Sequence, residues 1–159
     1  MRVTSLFFLL ASLTMPIAAF AQGEVSVERG LQVSIIGGCH DCHTEGYSET
    51  EGKIDPEKAL MGSSVGWRGP WGTNYATNLR IDAAAMSERG FVGMLKRIRT
   101  SPPMPWYNLR AMEESDMQSL YQYIRSLGKP GKPAPSRSHP NEEPTTPYVQ
   151  LVPTQMPKN

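Results

Sequence analysis

Apolar residues recur at helical spacing in three stretches of the chain, and the intervals between them do not. In the first, Val27, Leu31 and Ile35 lie four apart, with Gly30 and Ser34 beside them. That spacing predicts a helix over residues 24–37 with one apolar or small face, stopped by Gly37 and Gly38. The second has Phe91, Leu95 and Ile98 as its stripe. Ser87 is a natural N-cap, Glu88 sits in the first turn, and Lys96, Arg97 and Arg99 sit where the helix dipole favours cations. Pro102 and Pro103 end it. The third runs over residues 116–127, with Leu120, Tyr123, Ile124 and Leu127 on the buried face and Gly128 and Pro130 as its stop. Gly30 carries extra information. A mid-helix glycine costs about 1 kcal/mol relative to alanine, which is explained if another helix crosses there at short range, with Tyr123 as the residue opposite.

Residues 44–80 lack such periodicity. They contain six glycines and two prolines and read as a long irregular loop, with one helical turn near Pro56–Leu60. Loops of that length are uncommon in compact domains unless they are functional or wrap something. Residues 129–159 hold eight of the chain's 14 prolines and almost no apolar periodicity. They read as a Pro-rich, largely disordered tail or as an arm that docks on a partner through Tyr148–Val152. Cutting after Gly128 is expected to spare the preceding domain.

At the N-terminus, Arg2 precedes an apolar core from Leu6 to Leu13, and Ala19-Phe20-Ala21 is a small-x-small cleavage site. Residues 1–21 therefore read as a signal peptide and residues 22–128 as the domain, with the mature chain exported to the periplasm. The apolar core is too short for a spanning helix of about 20 residues, so the mature protein is expected not to cross a membrane. Cleavage removes one of 16 basic residues and none of the 15 acids. The result is net neutrality, without the basic excess that nucleic-acid binding requires. The charge is unevenly spread. Residues 41–57 carry six acids against Lys53, whereas residues 89–110 carry Arg89, Lys96, Arg97, Arg99 and Arg110 and no acid. Such asymmetry can steer docking.

The chemistry concentrates in Cys39-His40-Asp41-Cys42-His43, which uses both cysteines and two of the three histidines. Cys-x-x-Cys-His is the attachment pattern of a c-type haem. Two thiols add to the porphyrin vinyl groups, and the adjacent imidazole reaches the iron. Three other uses of the pair make different demands. A thioredoxin-like redox pair needs a βαβ setting, a structural zinc site needs four ligands, and a structural disulfide needs no histidine. Met104, held between Pro103 and Pro105, is a stiffly presented thioether suited to the sixth iron position. The other methionines in helices, Met86, Met94, Met112 and Met117, fit a core role better. Trp67, Trp71 and Tyr75, with Arg68 and Asn74, are candidates either to cover the porphyrin and bind its propionates or for ordinary packing.

Gly30, Cys39–His43, Pro103-Met104-Pro105-Trp106 and Leu120–Leu127 occur in this order, and with them the chain resembles the class I c-type cytochromes over residues 24–128. Gly69-Pro-Trp-Gly-Thr-Asn-Tyr-Ala-Thr-Asn78 is similar to a segment of cytochrome c domains in dehydrogenase cytochrome subunits. The resemblance implies an all-α, cytochrome c-like fold, with three main helices and long loops wrapped around one covalently attached haem. It implies that Cys39 and Cys42 hold haem c and that His43 and Met104 ligate its iron. It implies a one-electron carrier rather than an enzyme, working between an upstream dehydrogenase or other reductase and a downstream cytochrome or oxidase. The same residues leave two alternatives. One is a haem protein whose open iron binds peroxide or a gas. The other is a haem-free thiol oxidoreductase.

Overall fold

A computed structural model describes residues 23–151. The signal-peptide reading falls on residues outside that range. Six helices and three strands follow in the order α1 (Val27–Ile36), α2 (Cys39–His43), β1 (Gly66–Gly69), β2 (Gly72–Tyr75), α3 (Leu79–Ala84), α4 (Glu88–Leu95), α5 (Trp106–Arg110), α6 (Glu114–Ser126) and β3 (Tyr148–Gln150).

The N- and C-terminal helices of the domain cross at the predicted glycine. A Cβ placed on Gly30 would lie 2.0 Å from the Ser119 carbonyl oxygen and 2.6 Å from Tyr123 Cβ. Ser26 caps α1 by accepting from Arg29 N at 3.1 Å, and its own amide donates to Ser119 Oγ at 3.3 Å. Arg29 forks onto both Asp116 carboxylate oxygens, at 2.7 and 2.9 Å. The buried line of α1 is Gly30, Val33 and Ser34; the small residues of the predicted face are buried and Leu31 packs at the core margin, but Val27 and Ile35 are not buried. So close a crossing demands the smallest residues at its centre, so the larger Val27 and Ile35 are turned outward, 37% and 44% exposed. Ser87 caps α4 as expected. Phe91, Val92 and Leu95 from α4 meet Met117, Leu120 and Ile124 from α6 in the core, with Met86, Met94 and Met112 at its margin.

The all-α expectation is overturned by a three-stranded mixed sheet of order β2-β1-β3. β1 and β2 form an antiparallel hairpin pairing Gly66 with Tyr75 and Gly69 with Gly72. Pro70 fixes φ in its tight turn, and Gly72 takes φ +96°, which only glycine adopts freely. β3 pairs parallel to β1, Trp67 opposite Val149. Residues 138–151 of the segment read as a disordered tail thus lie along the hairpin. All three strands escape the sequence pattern because each is four residues or fewer, and β1 and β2 begin with glycine. β3 also pairs with β1 across some 80 residues of chain, so no local periodicity records it.

Arg80 of α3 ties the loop around Pro56–Ala59 to the C-terminal end of α6. It is 4% exposed and donates Nε to the Ala59 carbonyl at 2.7 Å and Nη1 to the carbonyls of Leu127 and Lys129 at 2.9 and 3.3 Å. Nη2 donates to the Pro56 carbonyl. Burial pulls its pKa down, and the four carbonyls satisfy the guanidinium in place of an acid.

Candidate functional site

Gly38 reverses the chain after α1 with φ +67°. The next five residues, Cys39–His43, make the single helical stretch α2. One turn of helix therefore carries both thiols and the imidazole. Cys39 and His43 are buried, Cys42 is half-buried, and the cysteines form no disulfide. Burial pushes the Cys39 thiol up to about 11 and raises that of Cys42 as well. A nucleophilic redox cysteine needs the opposite shift.

His43 is held from a distance in sequence. Its Nδ1 lies 2.7 Å from the carbonyl oxygen of Thr77. A carbonyl only accepts, so Nδ1 carries the hydrogen. Burial pushes the ring's pKa down and favours the neutral form. In that form the lone pair sits on Nε2, which has no hydrogen-bond partner among the described residues. The backbone of His43 is also pinned, its carbonyl accepting from Gly62 N at 2.8 Å. Sequence reasoning had no means of finding Thr77, because a backbone acceptor has no side-chain signature.

His40, between the cysteines, faces the opposite way. It is fully buried. Thr44 Oγ1 accepts from Leu60 N at 2.8 Å and so directs its own hydrogen to His40 Nδ1, 2.8 Å away. Ser34 Oγ gives its hydrogen to the Leu31 carbonyl and so accepts from His40 Nε2 at 3.1 Å. Tyr123 OH lies 3.4 Å from the same nitrogen. His40 is thus a neutral tie between α1, α2, the following loop and α6, and burial pulls its pKa down to about 4.

Met104 lies on a separate loop and is half-buried. Asn74 of β2 donates Nδ2 to the Pro102 carbonyl at 2.5 Å. On the other flank, the guanidinium carbons of Arg99 and Arg110 lie 5.2 and 4.8 Å from the centre of the Trp106 ring. Arg110 also donates to the carbonyls of Ile98 and Arg97, which folds α5 back onto the end of α4. The structure thus brings Cys39, Cys42 and His43 together on one helix. It ties the Met104 loop to the β2 segment that also holds His43, since Asn74 and Thr77 are three residues apart.

The candidate propionate ligands are committed elsewhere. Arg68 donates to the Glu142 carbonyl at 2.9 Å and to Glu143 Oε1 at 2.7 Å. Asn74 holds Pro102, and Tyr75 OH lies 2.8 Å from Thr146 Oγ1. Among the described residues, no group of three or more His, Cys, Asp and Glu is arranged to hold a bare metal ion. The donor set of α2 nonetheless fits a covalently held haem: two unpaired thiols at the right spacing and an imidazole presenting Nε2.

Over 120 aligned residues covering 69% of this chain, the sequence is 28% identical to one of the subunits of the nicotinate dehydrogenase of Pseudomonas putida strain KT2440. The chain is similar to part of a dehydrogenase subunit. The aligned stretch is 9% of that protein's length. No family model and no solved structure matches the chain. No helix among the described residues is long and apolar enough to cross a membrane.

Proposed function

We propose that this chain is an exported monohaem c-type cytochrome that passes single electrons in a dehydrogenase system. The observation that carries the reading is the geometry of α2: two cysteines free of any disulfide and an imidazole on one helical turn, with its Nδ1 fixed by the Thr77 carbonyl so that Nε2 is the donor. Haem, when bound, supplies a one-electron iron couple. Cys39 and Cys42 would hold it as thioethers, and His43 Nε2 and Met104 Sδ would ligate its iron. The chain's own work is to keep His43 in one tautomer, hold the Met104 loop, and exclude water with the α1–α6 crossing and the α4 core.

The raised thiol pKa values weigh against the haem-free oxidoreductase. Similarity to a dehydrogenase subunit favours a donor of that class; a further cytochrome or oxidase downstream and the periplasm as the location follow from the cytochrome resemblance and the N-terminal sequence.

Met104→Ala separates the carrier from the open-iron alternative. In haem-loaded protein, a carrier with Met104 on the iron loses its ferric sulfur-to-iron charge-transfer band and its potential falls. An unchanged spectrum and potential would remove Met104 from the iron.

A further inference from the structure

Residues 138–151 grip the hairpin on both sides. On the outer edge of β2, Ser138 and Thr73 exchange backbone hydrogen bonds, at 3.0 Å and 3.2 Å. The approach is so close that a Cβ on Gly72 would lie 2.1 Å from the Ser138 carbonyl oxygen. The segment then passes Arg68, whose guanidinium holds the Glu142 carbonyl and the Glu143 carboxylate and lies 5.6 Å from the centre of the Tyr148 ring. On β1 it continues as β3, with Gly66 N donating to the Pro147 carbonyl at 2.8 Å and Leu151 N to the Arg68 carbonyl at 2.9 Å. Its start is anchored separately. Asn78 donates to the carbonyls of Pro130 and Lys132, at 2.5 and 2.9 Å.

The hairpin so gripped runs directly into the two supports of the site. Asn74, within β2, holds the Met104 loop through Pro102. Thr77, two residues past β2, holds His43. A two-stranded hairpin alone is marginally stable in water, and this one has four residues per strand. A third strand and a covered outer edge are what fix its position.

We propose that residues 138–151 are a positioning strap for the iron site. By clamping the hairpin they hold Asn74 and Thr77, and through them the Met104 loop and the His43 ring, in register. This inference rests on the haem reading above, and it makes the Pro-rich segment part of the site rather than an appendage.

The test uses the full-length chain with Ser138→Pro and Leu151→Pro together. Each removes one strap amide donor, on Ser138 (half-buried) and Leu151 (37% exposed), without touching the core. A Ser138→Ala, Leu151→Val pair keeps both amides and is the rescue control. With the proline pair, amide exchange in β1 and β2 should accelerate at least tenfold, while α1, α4 and α6 keep their protection. In the haem-loaded protein, the ferric sulfur-to-iron band should lose at least half its intensity and the potential should fall. The control pair should match the parent. A proline pair that frees the hairpin yet leaves band and potential unchanged overturns the proposal, as does equal acceleration in the helices. If the parent protein takes no haem, the cytochrome reading fails separately, and the strap is judged on ring-nitrogen NMR of His43. It then predicts one tautomer in the parent and a mixture in the proline pair, and an unchanged ring overturns it.

Discussion

Substituting Gly30 by alanine isolates the helix crossing that frames the domain. Helix propensity alone predicts stabilisation of about 1 kcal/mol. The crossing predicts the reverse. The new Cβ would stand 2.0 Å from the Ser119 carbonyl oxygen and 2.6 Å from Tyr123 Cβ, where ordinary contact is about 3.5 Å or more. The Ser119 atom belongs to the backbone of α6 and cannot swing aside as a flexible side chain would. The helices must therefore separate by more than an ångström, which stretches the Ser26–Ser119 and Arg29–Asp116 hydrogen bonds at the same crossing. Overpacking of this kind costs roughly 1–3 kcal/mol, and a fixed backbone puts the cost near the upper end. Net of propensity, Gly30→Ala should lose about 2 kcal/mol, or roughly 10 °C in Tm for a domain of this size. Gly90→Ala is the internal control. There the nearest atoms, Met86 Cβ and Ser87 Oγ, lie at 3.4 Å on an exposed turn of α4, so propensity should win and stability should rise slightly. Urea titrations of both variants read the result. An unchanged or raised midpoint for Gly30→Ala would refute the close-crossing argument.

Arg80→Met should cost about 2–4 kcal/mol, because the buried carbonyl of Ala59 and the part-buried carbonyl of Leu127 lose their donor; a urea midpoint within error of the parent would contradict that. His40 gives a pH signature. Its folded pKa, about 4, lies below the ordinary value of about 6.5. The unfolded chain therefore binds the extra proton first, and stability falls as pH drops from about 6.5 toward 4, by up to about 3 kcal/mol. Urea midpoints at pH 4.5 and 7 should show this slope in the parent and a flatter one in His40→Gln; equal slopes would remove His40 as the cause. Arg68→Ala should release Glu142 and Glu143 and quicken amide exchange in β1, whereas unchanged protection would show that the arginine does not secure the strap.

What the sequence made legible was whatever its own periodicity or residue chemistry encodes. Gly30 and Tyr123 announced the crossing because a glycine in an apolar helix is otherwise a cost. Ser87 announced α4, and Cys39–His43 marked the candidate site because no common structural use needs two such cysteines and the histidine together. The hairpin stayed hidden because Gly66, Gly69 and Gly72 look like loop residues until their partners are known. β3 stayed hidden because its exposed Tyr148–Gln150 has no buried alternation to read. The supports of His43 and of the Met104 loop, the carbonyls of Thr77 and Pro102, were invisible in principle, since every residue has a carbonyl. Arg68 and Asn74 were suggested as ligands of an external carboxylate by their chemistry, but a segment some 70 residues downstream claims Arg68, and Pro102 claims Asn74.

The most direct measurement is the mass and absorption spectrum of the mature protein expressed with haem-maturation machinery, before and after acid-acetone extraction. One haem per chain is expected, retained through extraction, with a low-spin c-type spectrum in both redox states. A chain without haem, and with two titratable thiols at Cys39 and Cys42, would contradict it.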